Sequence, residues 1–301
     1  MAPESLDAFL ASIERDVQRY HDPGPMAMRR VVSAITTPNW SCSADELKPM
    51  AREARRLGIR LHSHLSETFD YVRWAKEVHG CTPMEFVAEH EWVGEDVWYA
   101  HMVHLDDSEL KLCAETQTGI AHCPQSNGRL GSGIARIPEA MALNVPVSLA
   151  VDGAASNEAA DMASEAHAAW LMHRADPRSG LRDDARSPGH RSVQPGGHAN
   201  AMTVEDVVHI GTAGGARVLG LAGVGTLQVG MAADLAVYDL DQPRHFGLHD
   251  PAVGPVASGG RPTLRALLVQ GRVVVENDAI PGLDMAQLRA DAQAFVKTML
   301  A

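Results

Sequence analysis

The segment Leu61-His-Ser-His-Leu-Ser-Glu67-Thr68 joins a short apolar run to two histidines and a carboxylate. Side chains at positions i and i+2 of a β-strand point to the same face, so His62 and His64 would share one face. Glu67 follows just past the end of this strand, where it could meet whatever His64 binds. For this segment alone two interpretations are open: a metal ligand beside a proton-transfer group, or two histidines in a polar loop.

Composition restricts the class of protein. The chain has 301 residues, 45% of them hydrophobic and 21% charged, a balance typical of a globular fold. The formal net charge of -12 argues against nucleic acid as a partner, because phosphate binding requires clustered Lys and Arg. No apolar run is long enough to cross a membrane, and the N-terminus lacks a signal-peptide pattern. We therefore expect no membrane partner and a cytoplasmic location.

Apolar runs rich in β-branched residues alternate with helix-like sequence through the first half of the chain. The runs are Arg30–Thr36, Ile59–His64, Val97–Val103, Gly119–Cys123 and Val145–Val151. Between the first two, Ser43 and Glu46 form a capping box that opens an amphipathic helix. Strands that alternate with helices pair in parallel through right-handed crossovers. The sequence therefore predicts an α/β fold, either a doubly wound sheet or a (β/α)8 barrel.

Polar residues at the ends of these runs favour the barrel. His64, His101, the pair Ser126-Asn127 and Asp152 each lie at or just beyond the C-terminal end of a different run. Barrel enzymes collect their functional groups from the C-terminal ends of several strands in this way. We therefore expect these side chains to meet at one edge of the sheet, rather than to be unrelated loop residues.

The rest of the chain has a different pattern. Residues 176–200 are predicted to form a mobile loop, and residues 203–219 a helix. Residues 225–240 and 265–276 are predicted strand segments, with a turn at Gly271, and residues 284–300 form a closing helix. We expect residues 1–220 to form the α/β domain. Residues 221–301 would form a small β domain with the closing helix.

The motifs, taken in chain order, resemble those of the amidohydrolase superfamily. They are His62-Ser-His64-Leu-Ser-Glu67, Ala100-His101-Met-Val-His-Leu, His122-Cys-Pro-Gln-Ser-Asn127, Val151-Asp152-Gly-Ala-Ala-Ser156-Asn157 and Gly225-Thr-Leu-Gln-Val-Gly-Met-Ala-Ala-Asp234. More narrowly, they are similar to the aminohydrolases that deaminate purine, pterin and triazine rings. The resemblance implies a TIM-type (β/α)8 barrel, represented here by about strands 4–8. It also implies the C-terminal part of a small β-sandwich domain.

The same resemblance implies roles for individual residues. His64 and Asp152 would bind a metal, and Asp152 would also take a proton from the attacking water. Glu67 would pass that proton to the ring nitrogen and then to the departing amine. His101 would polarise or hydrogen-bond the ring atom near the attacked carbon, and Ser156 would position Asp152 or the substrate. The expected cofactor is one divalent metal, zinc ahead of iron.

Three further residues are expected to act around this site. His62 would support the site rather than bind the metal, since His64 lies nearer the strand end. Gln125 and Arg129 are candidates for contacting a substrate carbonyl. The loop around Arg129 lacks the Lys-Ser/Thr of a phosphate-binding loop, so nucleotide phosphate is not the expected ligand. The partner would be a small heterocycle, and the family resemblance implies a homo-oligomer for the full-length protein.

The chain departs from the family pattern near its start. Family members carry a His-x-His pair at the end of the first barrel strand, and no such pair precedes residue 62. We therefore expect about the N-terminal third of the enzyme to be missing. The expected reaction is hydrolytic deamination of a fused heterocycle, first of all isoxanthopterin, a pterin. The alternatives are an 8-oxoguanine- or guanine-type substrate, chlorotriazine hydrolysis, or a truncated and inactive fragment.

Overall fold

A computed structural model describes residues 4–157, 159–179 and 202–300 of the chain. Internal contacts divide the chain into two compact units, which are Met1–Met231 with Val256–Arg261, and Ala232–Pro255 with Pro262–Ala301. The division expected after residue 220 stays a prediction. The predicted mobile loop over 176–200 lies almost wholly outside the described residues.

The first unit contains a five-stranded parallel sheet. Its strands are β1 Val32–Ala34, β2 Arg60–Leu65, β3 Val97–His101, β4 Gly119–His122 and β5 Val147–Leu149. They follow one another across the sheet in the same order as along the chain. The five predicted strand segments and their parallel pairing are thus confirmed. β3 and β4 are buried along their whole length, as expected for inner strands of a sheet covered on both faces.

Helices connect and flank these strands. In chain order, α1 to α11 span Leu6–Tyr20, Ala44–Arg56, Phe69–His79, Pro83–Glu89, Asp107–Thr116, Pro124–Leu130, Ile137–Ala142, Ala154–Asn157, Met162–Ala175, Val204–His209 and Gly215–Leu219. The predicted capping box opens α2, where Glu46 accepts the backbone N–H of Ser43 at 2.7 Å. The apolar face of α2 is buried through Leu47, Met50, Ala51 and Ala54. This face packs α2 against β1 and β2.

The segment predicted to be helical over 203–219 is helical but irregular. A π-helical turn, Ile210–Gly214, joins α10 to α11. Gly214 lies against β5, where an added Cβ atom would clash with the backbone oxygen of Val147. Glycine at this position therefore lets the helical segment approach the sheet closely.

The second unit contains a three-stranded antiparallel sheet, formed by β6 Leu235–Tyr238, β7 Leu264–Val269 and β8 Arg272–Glu276. The remaining α-helices of the described residues are α12 Gly254–Ala257 and α13 Met285–Met299. The turn predicted at Gly271 is confirmed, with φ +74°. The strand predicted over 225–240 is wrong for its first half, because Gly225 and Gly230 have φ values of +89° and +93°, which extended strands do not use. The β-sandwich stays a prediction.

The carboxyl ends of β2 to β5 lie at one edge of the parallel sheet. His101 is the last residue of β3, α6 begins just after β4, and Asp152 follows β5. Glu67 lies two residues beyond the end of β2. The fold therefore brings the predicted functional segments to a common edge. Among the described helices, none combines the length and the apolar character needed to cross a membrane.

Candidate metal and catalytic site

The backbone is strained where the sheet passes into the candidate site. Ser66, His101 and Asp152 have φ values of +49°, +72° and +63°, in a region that residues other than glycine rarely adopt. Such conformations cost about 1–3 kcal/mol each and cluster at functional sites. The strain lies at the ends of three different strands, at or next to the residues that the sequence singled out.

His64 lies on the half-buried face of β2, which it shares with His62 as predicted. The Nδ1 atom of His64 is 2.7 Å from the backbone oxygen of Thr36. A carbonyl oxygen only accepts, so Nδ1 carries the hydrogen and Nε2 keeps a lone pair. This arrangement is common for metal-binding histidines, whose other nitrogen donates to a carbonyl or carboxylate. The hydrogen bond thus makes Nε2 the available donor atom for a metal.

His101 is buried and its orientation is fixed by α6. Its Nδ1 lies 2.9 Å from Oδ1 of Asn127, which accepts the Nδ1 hydrogen. The Nε2 atom is then an acceptor, and it lies 3.9 Å from Oε2 of Glu67 and 3.9 Å from Oδ2 of Asp152. In the neutral ring, this nitrogen presents its lone pair beside two carboxylates. This combination attracts a cation.

Asp152 is held by two serine hydroxyls. Its Oδ2 accepts hydrogen bonds from Ser126 at 2.6 Å and from Ser156 at 3.0 Å. Burial raises the pKa of Asp152, but these hydroxyls and the backbone N–H of Gly153 outweigh burial and bring the pKa below its ordinary value. Asp152 is therefore a carboxylate near neutral pH. The contact with Ser156 agrees with the positioning role expected for that serine.

Glu67 lies in the turn that follows β2 and is held by a residue from another part of the chain. The Oγ of Ser132 donates to its Oε1 at 3.2 Å. Oε2 points toward His101, at the 3.9 Å distance given above. The carboxylate is thus oriented by one oxygen and leaves the other toward the candidate metal ligands.

Three groups are arranged to hold one metal ion. Donor atoms of His64, His101 and Asp152 all lie within 4.8 Å of one another. Two imidazole nitrogens and a carboxylate suit zinc, and the same set suits non-haem iron. The donor set and the two correctly oriented imidazoles therefore fit a divalent metal. His101, expected only as a catalytic residue, becomes a third candidate ligand.

The three supporting residues lie in different surroundings. His62 stacks on Trp98, with ring centroids 4.9 Å apart, and its Nδ1 is 3.2 Å from the Trp98 backbone oxygen. Burial, the largest effect, lowers the pKa of His62. Gln125 is bound to α9, because its side-chain nitrogen donates to Ser164 Oγ at 2.8 Å. Arg129 is exposed in the last turn of α6. Substrate contacts by Gln125 and Arg129 stay predictions.

Sequence reasoning missed two of the residues that orient the site, Thr36 and Ser132. The contacts join Thr36 to His64, Asn127 to His101 and Ser132 to Glu67. The two residues of each contact lie 26 to 65 positions apart in the chain. The Ser126-Asn127 pair had a signal, since it follows the end of β4, and Ser156 was expected to position Asp152 or the substrate. Further out, His173 and Glu165 of α9 contact His122 and Gln125. No local pattern marks such pairs.

Comparison with known proteins gives the family. A model of the Amidohydrolase family matches residues 3–274. The chain therefore belongs to the amidohydrolase family, as its motifs indicated.

Individual relatives support a finer comparison. The chain is 54% identical over 300 residues to an isoxanthopterin deaminase from an unknown prokaryotic organism, covering 100% of this chain and 61% of that protein. It is 33% identical over 298 residues to the 8-oxoguanine deaminase of Pseudomonas aeruginosa, covering 99% and 62%. Among solved structures it resembles the atrazine chlorohydrolase of Arthrobacter aurescens complexed with zinc. That match has a TM-score of 0.85 at 28% identity and covers 97% of this chain and 60% of the other.

These matches bear on the expected truncation. The chain spans about three fifths of the length of the relatives it matches. The first alignment covers 100% of this chain. None of these matches supports the interpretation of the chain as an inactive fragment.

Proposed function

We propose that this chain carries the active site of a metal-dependent aminohydrolase that deaminates an amino-substituted fused heterocycle. Isoxanthopterin, a pterin, is the first substrate we propose. The observation that carries the proposal is the meeting of His64, Glu67, His101 and Asp152 at the ends of three strands. The 54% identity to an isoxanthopterin deaminase supports the substrate, and the zinc complex of the structural relative supports zinc ahead of iron.

The proposed reaction replaces an exocyclic amino group by oxygen. The oxygen of water bonds to the ring carbon that bears the amine, and one water proton passes to the adjacent ring nitrogen. The C–N bond to the amine then breaks as the remaining hydroxyl proton moves to the amine, which leaves as ammonia. A divalent metal held by His64, His101 and Asp152 would supply a nucleophile near neutral pH, because it would lower the pKa of water to about 7.

Glu67 is the residue that we assign to proton transfer. Ser132 fixes one of its oxygens, and the other lies toward His101. A carboxylate held in this way can carry the first water proton to the ring nitrogen and the second to the departing amine. Its position between strand ends, rather than on the surface, supports this role.

Asp152 and His101 are assigned complementary roles. Asp152 is ionised near neutral pH, so it can bind the metal and accept a proton from water. The tautomer set by Asn127 leaves a lone pair on Nε2 of His101. This lone pair can bind the metal or accept a hydrogen bond from a ring N–H. His101 could donate a hydrogen bond to the ring only after it gains a proton.

We also propose that the parallel sheet is part of a (β/α)8 barrel and represents its strands 4–8. A doubly wound sheet reverses its strand order at a switch point. Here the strand order across the sheet equals the order along the chain. Functional groups at the C-terminal strand ends support the same architecture. The homo-oligomer expected for the full-length protein stays a prediction.

The proposal is tested by measuring ammonia release from isoxanthopterin, 8-oxoguanine and guanine, and chloride release from a chlorotriazine. Zinc-loaded protein is expected to release ammonia from the pterin. Release of chloride from the triazine, without ammonia from any of the amino heterocycles, would contradict deamination.

The variant Glu67→Gln tests the proton-transfer residue. An amide cannot accept the water proton, so turnover is expected to fall by about 10²- to 10⁴-fold, the range for general acid–base catalysis. Metal content, measured by elemental analysis, should stay at the wild-type level. Glu85→Gln, which changes a carboxylate at the start of α4, is the control and should keep its turnover. Normal turnover by Glu67→Gln would remove the proposed role.

A further inference from the structure

Glu165 is a buried carboxylate that the proposed chemistry does not use. It lies on α9 and its side chain is 0% exposed. Oε2 accepts the backbone N–H of Gln125 at 3.1 Å, while Oε1 has no hydrogen-bond partner among the described residues. Burial, the largest effect, raises its pKa to about 7. A buried carboxylate with one unpaired oxygen is costly, so its presence calls for a compensating role.

The contact of Glu165 falls on the helix that orients the candidate site. Gln125 is the second residue of α6, and the next two residues of this helix both bind site residues. Ser126 donates to Asp152 at 2.6 Å, and Asn127 accepts from His101 at 2.9 Å. A movement of this one turn of helix would therefore disturb both hydrogen bonds at once.

Two further contacts join α9 to the same segment. The Gln125 side chain donates to Ser164 Oγ at 2.8 Å, next to Glu165 along α9. At the end of β4, His122 meets His173 of α9 at 3.0 Å. The segment that carries Ser126 and Asn127 is thus attached to α9 on both sides of the β4–α6 turn. Of these contacts, the one made by Glu165 reaches the backbone of α6, at Gln125.

We propose that Glu165 is a positioning residue, which holds the first turn of α6 so that Ser126 and Asn127 orient Asp152 and His101. This inference rests on the proposed function of these two residues as metal-site groups. Glu165 touches neither metal ligand directly, so it acts through Gln125. Partners that orient metal ligands typically change metal affinity or activity by about 10- to 100-fold when they are removed.

The test compares four proteins, which are the wild type, Glu165→Ala, Glu165→Gln and Glu109→Ala. For each protein we would measure the affinity for cobalt(II), the visible absorption spectrum of the bound cobalt and the steady-state kinetics. Glu165→Ala removes the acceptor of the Gln125 N–H, and is expected to weaken cobalt affinity by about 10- to 100-fold. The cobalt spectrum should change with it, because that spectrum reports ligand geometry. Glu165→Gln keeps an oxygen acceptor and should recover the wild-type spectrum and most of the affinity.

Glu109→Ala is the matched control. Glu109 is also buried, accepts the backbone N–H groups of Asp106 and Met84, and has a pKa raised by burial. The variant Glu109→Ala should lose stability without any change in its cobalt spectrum or its affinity for cobalt. If Glu165→Ala does not fold, Glu165→Asp keeps the charge but shortens the side chain. Glu165→Asp should then show the weakened affinity and the altered spectrum.

The outcomes separate this inference from the proposed function. An affinity and a spectrum of Glu165→Ala, or of Glu165→Asp if Glu165→Ala does not fold, that match those of Glu109→Ala would overturn the positioning role. Failure of Glu165→Gln to restore the affinity and the spectrum would overturn it as well. Cobalt binding does not require a substrate. Absence of ammonia release by the wild-type protein would therefore contradict the deaminase alone, whereas absence of cobalt binding by the wild type would contradict both proposals.

Discussion

At the scale of single residues, His122 and His173 form an unusual pair. Their Nε2 atoms lie 3.0 Å apart and both side chains are buried. Two lone pairs would repel at this distance, so one ring carries its hydrogen on Nε2 and donates it to the other. Burial, the largest effect, lowers the pKa of His173 to about 4 and that of His122 well below its ordinary value. The hydrogen bond therefore joins two uncharged rings of opposite tautomer.

We predict that His173 makes the free energy of unfolding fall as the pH decreases from about 6.5 to about 4. The unfolded histidine titrates near 6.5, so in this interval the unfolded chain binds a proton that the folded chain excludes. The contribution is complete above pH 6.5 and is lost as the pH falls toward the folded pKa. Buried carboxyl groups with raised pKa values, such as Glu109, act in the opposite direction. Comparison with a variant cancels their effect.

His173→Leu provides that comparison in urea unfolding at pH 7, 6 and 5. The stability difference between the wild type and the variant should shift by up to about 1.4 kcal/mol per pH unit, the value for one proton. His209→Gln, which changes an exposed histidine on α10, is the control and should follow the wild type at each pH. A difference between the wild type and His173→Leu that does not vary with pH would contradict the prediction.

At the scale of elements, the start of α5 has a complete capping box. Asp106 accepts the backbone N–H groups of Ser108 and Glu109 at 2.9 Å each, and Glu109 accepts the N–H of Asp106 at 2.9 Å. Asp106→Ala leaves two helix donors unpaired and is expected to cost about 1 kcal/mol of unfolding free energy. The urea midpoint should fall at constant m-value, whereas Asp106→Ser should retain most of the stability. An unchanged midpoint for Asp106→Ala would show that water replaces the cap without loss.

Elements were predictable where a short local pattern fixes the backbone. The five strands follow from apolar runs, and the capping box at Ser43 marks the start of α2 from two residues alone. The first half of the strand predicted over 225–240 failed because alternation of apolar residues ignores φ, and Gly225 and Gly230 both have positive φ. The π-helical turn Ile210–Gly214 was also missed, and the close approach of its Gly214 to β5 joins segments that are distant in sequence.

The residues of the candidate site were predictable from sequence, but their orientation was not. Its donors lie at strand ends, and strand ends can be recognised in the sequence, so the sequence alone predicts His64, His101 and Asp152 as residues of the site. Their orientation could not be read, because it depends on hydrogen bonds between distant segments. The contact between Glu67 and Ser132, 65 positions apart, is an example. Gln125 and Arg129 were predicted from the composition of their loop, and composition does not tell in which direction a side chain points.

At the scale of the whole molecule, a metal that binds only the folded chain must raise the free energy of unfolding by mass action. Zinc at 100 times its dissociation constant should add about 2.7 kcal/mol, because one site binds the folded state alone. Thermal unfolding with zinc and with chelator measures this shift. Asp152→Ala removes a candidate ligand and should abolish the shift, whereas Asp70→Ala, at the exposed start of α3, should keep it. An equal shift in Asp152→Ala would mean that zinc binds elsewhere, since donors from β2 and β3 alone leave the site without its carboxylate.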